Sequence, residues 1–201
     1  MKSKNPLIEQ TVVLVKPDGV KRGLVGEIVG RFERIGLKIV GMKMVWVDEE
    51  MVRKHYPTTR KEWVSKIGEK TLEAYKNYGT DPKEHLGTMD PYEIGLLICK
   101  WLVDYLTSGP VVAMVLEGPH AITAVRKTAG YTYPDTAVPG TIRGDLSIDS
   151  PDLANMIKRS GMNLVHASGN AEEAKFEIAL WFRKEEIHDY RRADEEAMFG
   201  L

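Results

Sequence analysis

Thr11-Val12-Val13-Leu14-Val15, followed at once by Lys16-Pro17-Asp18-Gly19, is the stretch from which the fold can be read. A β-branched apolar run ending in a proline and a glycine predicts a strand that stops in a turn. Downstream, Leu24, Ile28, Phe32 and Ile35 recur at helical spacing, and Gly36 ends that helix. Leu37 to Val47 then alternates apolar residues with Lys38, Gly41 and Lys43, which predicts a second strand. Asp48 caps a short helix running through His55 and Tyr56. Val111–Leu116 is an uninterrupted apolar run and predicts a third strand buried on both faces, followed by a helix over Ala121–Ala129. Pro134, Pro139 and Gly140 mark a long loop, and Asp149 or Ser150 opens a short helix with Pro151 in its first turn. Met162–His166 is a fourth strand and Ala171–Leu180 a closing helix. This order predicts an α+β fold, a ferredoxin-like split βαβ sandwich with a four-stranded antiparallel sheet and helices on one face.

Between Pro57 and Lys100 the character changes. Trp63, Ile67 and the Glu69–Tyr78 stretch look helical, Gly79-Thr80-Asp81-Pro82 is a turn, and Asp90-Pro91 opens a longer helix. In that helix Ile94, Leu97, Ile98, Trp101, Leu102 and Tyr105 repeat every three to four residues, the signature of a helical hairpin packed on a core. The expected organisation is one domain over residues 1–201 with a helical insertion at about 58–100.

Composition excludes several classes. With 201 residues, 43% of them hydrophobic, the chain can bury a sizeable core. The formal net charge of −1 argues against a nucleic-acid-binding module, whose affinity would come from a basic field. The single cysteine, Cys99, forms no internal disulfide and fits a reducing compartment. The run Thr11–Val15, broken by Lys16, is too short for a signal-peptide core, and no stretch reaches membrane-spanning length. A cytoplasmic protein is expected.

His166, in Asn163-Leu164-Val165-His166-Ala167-Ser168, stands at the end of a strand-like run. Its imidazole can act as base, ligand or nucleophile near neutral pH. Lys16 at the first strand's end offers a compact positive charge, and Arg126 and Arg143 offer guanidinium forks that bind phosphate oxygens bidentately. Thr132 adds a hydroxyl. Each of these charges, taken singly, reads as an ordinary solvated side chain. Asn163 and His166 are three apart, so strand alternation alone puts them on opposite faces, and convergence requires the strand to end or bulge near His166. Glu177, inside the closing helix, could fold back beside the imidazole and choose its tautomer. The Gly-Lys-Ser/Thr of a P-loop, a G-x-G-x-x-G, a zinc-type cysteine pair and H-E-x-x-H are all missing, so phosphate chemistry here must come from scattered side chains.

Four separated segments carry a resemblance. Val15-Lys16-Pro17-Asp18-Gly19-Val20, Ser108-Gly109-Pro110-Val111-Val112-Ala113-Met114-Val115, Pro139-Gly140-Thr141-Ile142-Arg143-Gly144-Asp145 and Asn163-Leu164-Val165-His166 resemble, in order, signatures of the nucleoside diphosphate kinase family. The resemblance implies a reversible ping-pong transfer of the γ-phosphate from a nucleoside triphosphate to a nucleoside diphosphate. His166 would be the nucleophile and Glu177 its orienting carboxylate, with Ser168 close to Glu177 and Tyr56 near the imidazole. Lys16, Arg126, Thr132, Arg143 and Asn163 match the family's phosphate and ribose contacts. Mg²⁺ would be held through the nucleotide phosphates rather than by protein ligands. The assembly implied is a homo-oligomer, hexamer or tetramer, without membrane or specific nucleic-acid partners.

Two departures accompany the resemblance. The family's His-Gly-Ser-Asp reads His166-Ala167-Ser168-Gly169 here, losing a glycine and a carboxylate. In the enlarged helical hairpin, the aromatic that stacks on the base aligns with Cys99, and Trp101, Tyr92 or Trp63 are candidates to replace it. A pseudoenzyme serving as an oligomeric scaffold would be expected to lose His166, Lys16 or Arg143, yet all three are present.

Overall fold

The computed structural model describes residues 7–77 and 79–200. Tyr78, the expected end of one helical stretch, lies outside the described residues. Strand β1 (Ile8–Val15) leads through a short helix α1 (Pro17–Lys21) into α2 (Val25–Arg34), β2 (Lys38–Val45) and α3 (Glu49–His55). The insertion region contributes α4 (Lys61–Asn77), α5 (Pro82–Leu86) and α6 (Pro91–Thr107). The chain continues through β3 (Val111–Pro119), α7 (Ala121–Ala129), α8 (Ile142–Leu146) and α9 (Pro151–Met156), and closes with β4 (Val165–Ala167), α10 (Ala171–Trp181) and α11 (Glu195–Phe199).

The four strands form one antiparallel sheet in the order β2-β3-β1-β4. This is the α+β arrangement expected from the β-α-β…β-α…β reading, with one correction. Helices cover both faces of the sheet, not one. Val13 and Val15 pack with Ile28, Phe32 and Val125, while Val12 and Leu14 pack with Val52, Val103, Leu106 and Trp181. The physical reason lies in β1 and β3 themselves. Successive side chains of a strand point to opposite faces, so an unbroken apolar run needs a hydrophobic cover on each side.

Helix starts follow side-chain capping. The Asp48, Asp81, Asp90, Ser150 and Asn170 side chains each accept a backbone N–H from the first turn of the helix they precede. The Lys16-Pro17-Asp18-Gly19 turn is a full helical turn, α1, because proline at its first position is already set to a helical φ.

The fourth strand is shorter than Met162–His166. Pairing begins only at Val165, because Leu164 adopts a left-handed backbone (φ 65°) and the Val165 N–H donates to the Asn163 carbonyl across it at 2.7 Å. That turn is the strand end on which convergence of Asn163 and His166 depended.

Candidate active site

A cavity of about 890 Å³ opens at the C-terminal end of β1 and the start of β4. Lys16, Tyr56, Arg126, Thr132, Arg143, Asn163 and His166 all line it. Seven residues spread over nearly the whole chain therefore meet in one place.

The imidazole sits on β4 opposite Leu14 of β1. Its Nε2 lies 2.8 Å from Glu177 Oε1, while Glu177 Oε2 accepts the Ser168 hydroxyl at 2.6 Å. Ser168 in turn accepts the Val12 N–H at 3.2 Å, which fixes the direction of its hydroxyl. With Nε2–H donating to the carboxylate, Nδ1 keeps its lone pair. Two rings meet the imidazole edge to face, His55 at 4.4 Å and Tyr56 at 5.8 Å between centroids, and Trp181 stands behind His55 at 5.5 Å. Trp181 Nε1–H donates to His55 Nδ1 at 3.2 Å.

Burial dominates the electrostatics. It pushes the His166 pKa down to about 3, helped by the positive charges of Lys16, Arg143 and Arg126. His55 is likewise held at about 3, by burial first and His166 second. Both rings are therefore neutral across the physiological range. Glu177 is shifted upward by burial, opposed by His55 and the Ser168 hydrogen bond. Burial, then Arg143, lowers Lys16 to about 7, with Asp18 opposing. Burial also lowers Arg143 to about 10.

The cationic side is cross-braced. Lys16 Nζ donates to Asn163 Oδ1 at 2.7 Å, and Asn163 Nδ2 donates to the Thr132 carbonyl at 2.9 Å. Arg143 spends Nε on the Asn163 carbonyl (3.0 Å), Nη1 on the Gly130 carbonyl (2.8 Å) and Nη2 on the Val165 carbonyl (2.6 Å). Five N–H groups are available on a guanidinium, so some remain for a ligand, but this arginine also ties the loop to β4. Arg126 and Thr132 are exposed.

Sequence reasoning overlooked Asp18. Its carboxylate accepts Tyr105 O–H at 2.6 Å and the Leu164 N–H at 3.1 Å, holding the left-handed turn in place. The signal was available: Asp18 follows the proline of α1, within the first of the four quoted segments.

Cys99 does not line the cavity. It is buried in α6, and its neighbours Ile98 and Leu102 line the cavity instead. A helix turns about 100° per residue, so positions i and i+4 share a face that i+1 does not. Trp101, Tyr92 and Trp63 are absent from the lining as well; Tyr131 and Tyr133 are the aromatics there, besides Tyr56. At the departure site, the Gly169 N–H donates to Glu173 Oε2 at 2.7 Å, and Ala167 lines the cavity.

Among the described residues, His55, His166 and Glu177 form the one group of three with ligating atoms close enough to share a metal ion. Their atoms are already engaged with each other and with Trp181 and Ser168. The acidic groups lining the cavity are Glu73 and Asp149, and Asp149 is bound by Arg159 at 2.6 and 2.7 Å. Such a donor set suits polyphosphate rather than a bare cation. It fits a divalent ion that arrives on the phosphates.

The model of the family described as nucleoside diphosphate kinase matches residues 9–66 and 97–187 of the chain. The nucleoside diphosphate kinase of Pyrobaculum aerophilum is 53% identical over 180 residues, covering 90% of this chain and 98% of that protein. An NDP kinase crystal structure from the same organism superposes with a TM-score of 0.87 at 51% identity, covering 90% and 100% of the two chains. A transition-state mimic of the Borrelia burgdorferi enzyme with bound vanadate and ADP gives a TM-score of 0.76 at 37% identity over 96% and 98%. The Halobacterium salinarum enzyme in complex with CDP gives 0.65 at 36% identity over 94% and 97%.

Proposed function

Because the chain belongs to the nucleoside diphosphate kinase family and has that family's enzymatic activity, we propose that His166 carries the phosphoryl group between nucleotides. The observation that supports this most is the neutral His166 ring, tethered through Nε2 to Glu177 inside a cavity lined by Lys16, Arg126 and Arg143.

The first half-reaction begins with the Nδ1 lone pair attacking the γ-phosphorus of a nucleoside triphosphate. The N–P bond forms as the bond from the γ-phosphorus to the β,γ-bridging oxygen breaks, and the diphosphate leaves with that electron pair. The ring, now carrying positive charge, is stabilised by Glu177 through its Nε2–H. A terminal β-phosphate oxygen of a second diphosphate then attacks phosphorus and the pair returns to Nδ1. Lys16, Arg126 and Arg143 neutralise the negative charge that spreads over the equatorial oxygens, with Thr132 and Asn163 positioning the phosphates and ribose. Tyr56 packs edge to face against the imidazole and helps hold the ring's orientation. Mg²⁺, held through the nucleotide phosphates, supplies further charge neutralisation. The Borrelia burgdorferi relative held vanadate and ADP together, and the same chemistry is assigned here to this cavity.

Incubation with γ-labelled ATP tests the reading. An acid-labile, base-stable phosphoprotein forms, discharges onto GDP, and is absent from His166→Ala. Failure of the wild-type chain to take label would sink the mechanism.

The reading extends to assembly and setting. The unit is a kinase domain spanning the chain with an inserted helical segment. Its edge strand β2, with the residue following it, exposes Met42, Met44 and Trp46 on alternate positions. An apolar edge of this kind is an invitation to pairing, and a second copy of the chain, building a hexamer or tetramer, is the occupant proposed. Light scattering on Met44→Lys and Trp46→Lys should show dissociation to smaller species. The one cysteine, buried as a free thiol, fits the cytoplasm.

A further inference from the structure

Residues 67–96 fall between the two stretches matched by the family model, yet part of this segment faces the reaction cavity. Ile67, Lys70, Thr71 and Ala74 of α4 all line it. Their spacing of i, i+3, i+4 and i+7 defines a single helical face. The adjoining flank, at Val64 and Gly68, is locked to α6 by an unusually close crossing. A side-chain carbon at Gly68 would collide with the Pro91 carbonyl, and one at Gly95 with the Val64 carbonyl. Two glycines thus let the helix backbones touch, and that contact fixes the rotation of α4 about its axis. Further along α4, buried Tyr75 hydrogen-bonds His85 Nδ1 at 2.6 Å and reaches the Asn155 carbonyl of α9 at 3.5 Å. The helix is therefore braced against α5, α6 and α9, as a wall and not a lid.

We propose that this face of α4 is a nucleoside-recognition wall particular to chains carrying the inserted segment. Together with Ile98 and Leu102 of α6, Ile67 and Ala74 provide an aliphatic surface in the cavity where the base can lie. Lys70 and the neighbouring Glu73, both exposed on the cavity side, give the base edge one donor and one acceptor. A preformed wall recovers binding free energy without an ordering cost on each turnover. A bicyclic purine buries more apolar area against it than a pyrimidine, so purine diphosphates gain more.

The inference rests on the kinase reading, and its test separates the two. Steady-state KM values for GDP, ADP and CDP are measured on Ile67→Ala, Lys70→Ala and Ala74→Trp, with Lys66→Ala as an exposed α4 control outside the cavity. KM for the purine diphosphates should rise about five- to tenfold in the first two variants, with a smaller rise for CDP and kcat nearly constant. Ala74→Trp, which fills the cavity rather than emptying a core, should raise KM for all three. Values within twofold of wild type throughout would overturn the wall, and equal rises for GDP, ADP and CDP in Ile67→Ala and Lys70→Ala would overturn the purine preference. Wild-type chain that takes label from ATP and discharges it to GDP while the variants behave normally leaves the kinase reading intact; wild-type chain that takes no label removes both.

Discussion

At the phosphate end of the cavity, Lys16, Arg143, Ser168 and Glu177 are buried and held in two hydrogen-bonded sets, Lys16 and Arg143 through Asn163 and Ser168 with Glu177 behind His166, whereas at the nucleoside end Lys70, Glu73 and Tyr131 are exposed on helix and loop surfaces. Burial at the first end costs desolvation, visible in the depressed pKa values of Lys16 and His166. In exchange, each group's position is determined before a ligand arrives, as developing charge in a transition state demands. The second end needs area and shape more than fixed charge, and side chains on a braced helix suffice. Precision is concentrated where bonds change.

Four perturbations probe that contrast. The largest effect belongs to His166→Ala, where phosphoenzyme formation should vanish and transfer fall by on the order of 10⁴-fold or more in rapid-quench assays, as for other lost nucleophiles. Asp18→Ala should come next. It leaves Tyr105 O–H and the Leu164 N–H without their carboxylate, costing about 2–4 kcal/mol in denaturant melts and loosening the turn that presents His166.

The third perturbation is pH. Since His166 is held near 3, kcat/KM should show no inflection at an ordinary histidine pKa of about 6.5. Lys16 loses its charge in the free enzyme as pH rises through about 7, so nucleotide KM should climb above that point by at most about tenfold per pH unit. The stability signs differ in window, not direction. His55 and His166 are lowered on folding, so the unfolded chain binds more protons between about 3 and 6.5 and stability falls as pH drops through that range. Lys16 is lowered too, so stability contributed by that site rises between about 7 and 10.5. A free enzyme whose melting temperature is flat from pH 6.5 to 4 would contradict the buried neutral histidines. Cys99→Ala should matter least: about 1 kcal/mol of packing in melts and no change in nucleotide KM, because the buried thiol does not line the cavity.

Much of this arrangement was legible before any coordinates. Ala121–Ala129 is the helix the sequence predicts, with the same bounds, and Asp48, Asp90 and Ser150 cap the helices they precede. These signals are local, and local chemistry decides them. The two-sided helical cover was legible only in part, since the unbroken run of Val111–Leu116 implied burial on both faces without naming the covering elements. Leu164 was out of reach. A leucine in a left-handed conformation is unfavourable by itself and persists because distant Asp18 and Lys16 hydrogen-bond its backbone. The side of α6 that meets the cavity, Ile98 and Leu102 rather than the aligned Cys99, was not legible, because it depends on how α6 docks on α4 through Gly68 and Gly95.

The position of β1 in the sheet has a consequence for biosynthesis. This strand is made first, yet its two neighbours are residues 111–119 and 165–167. As the chain leaves the ribosome, β1 must wait for residues 111–119 before it finds any sheet partner, and its second edge stays unpaired until the histidine strand emerges. Such long-range pairing slows folding and leaves an apolar strand open to misassociation in the meantime. The growing chain acquires its reactive imidazole and its completed sheet in the same late step, so no partly made sheet lacking β4 carries the nucleophile.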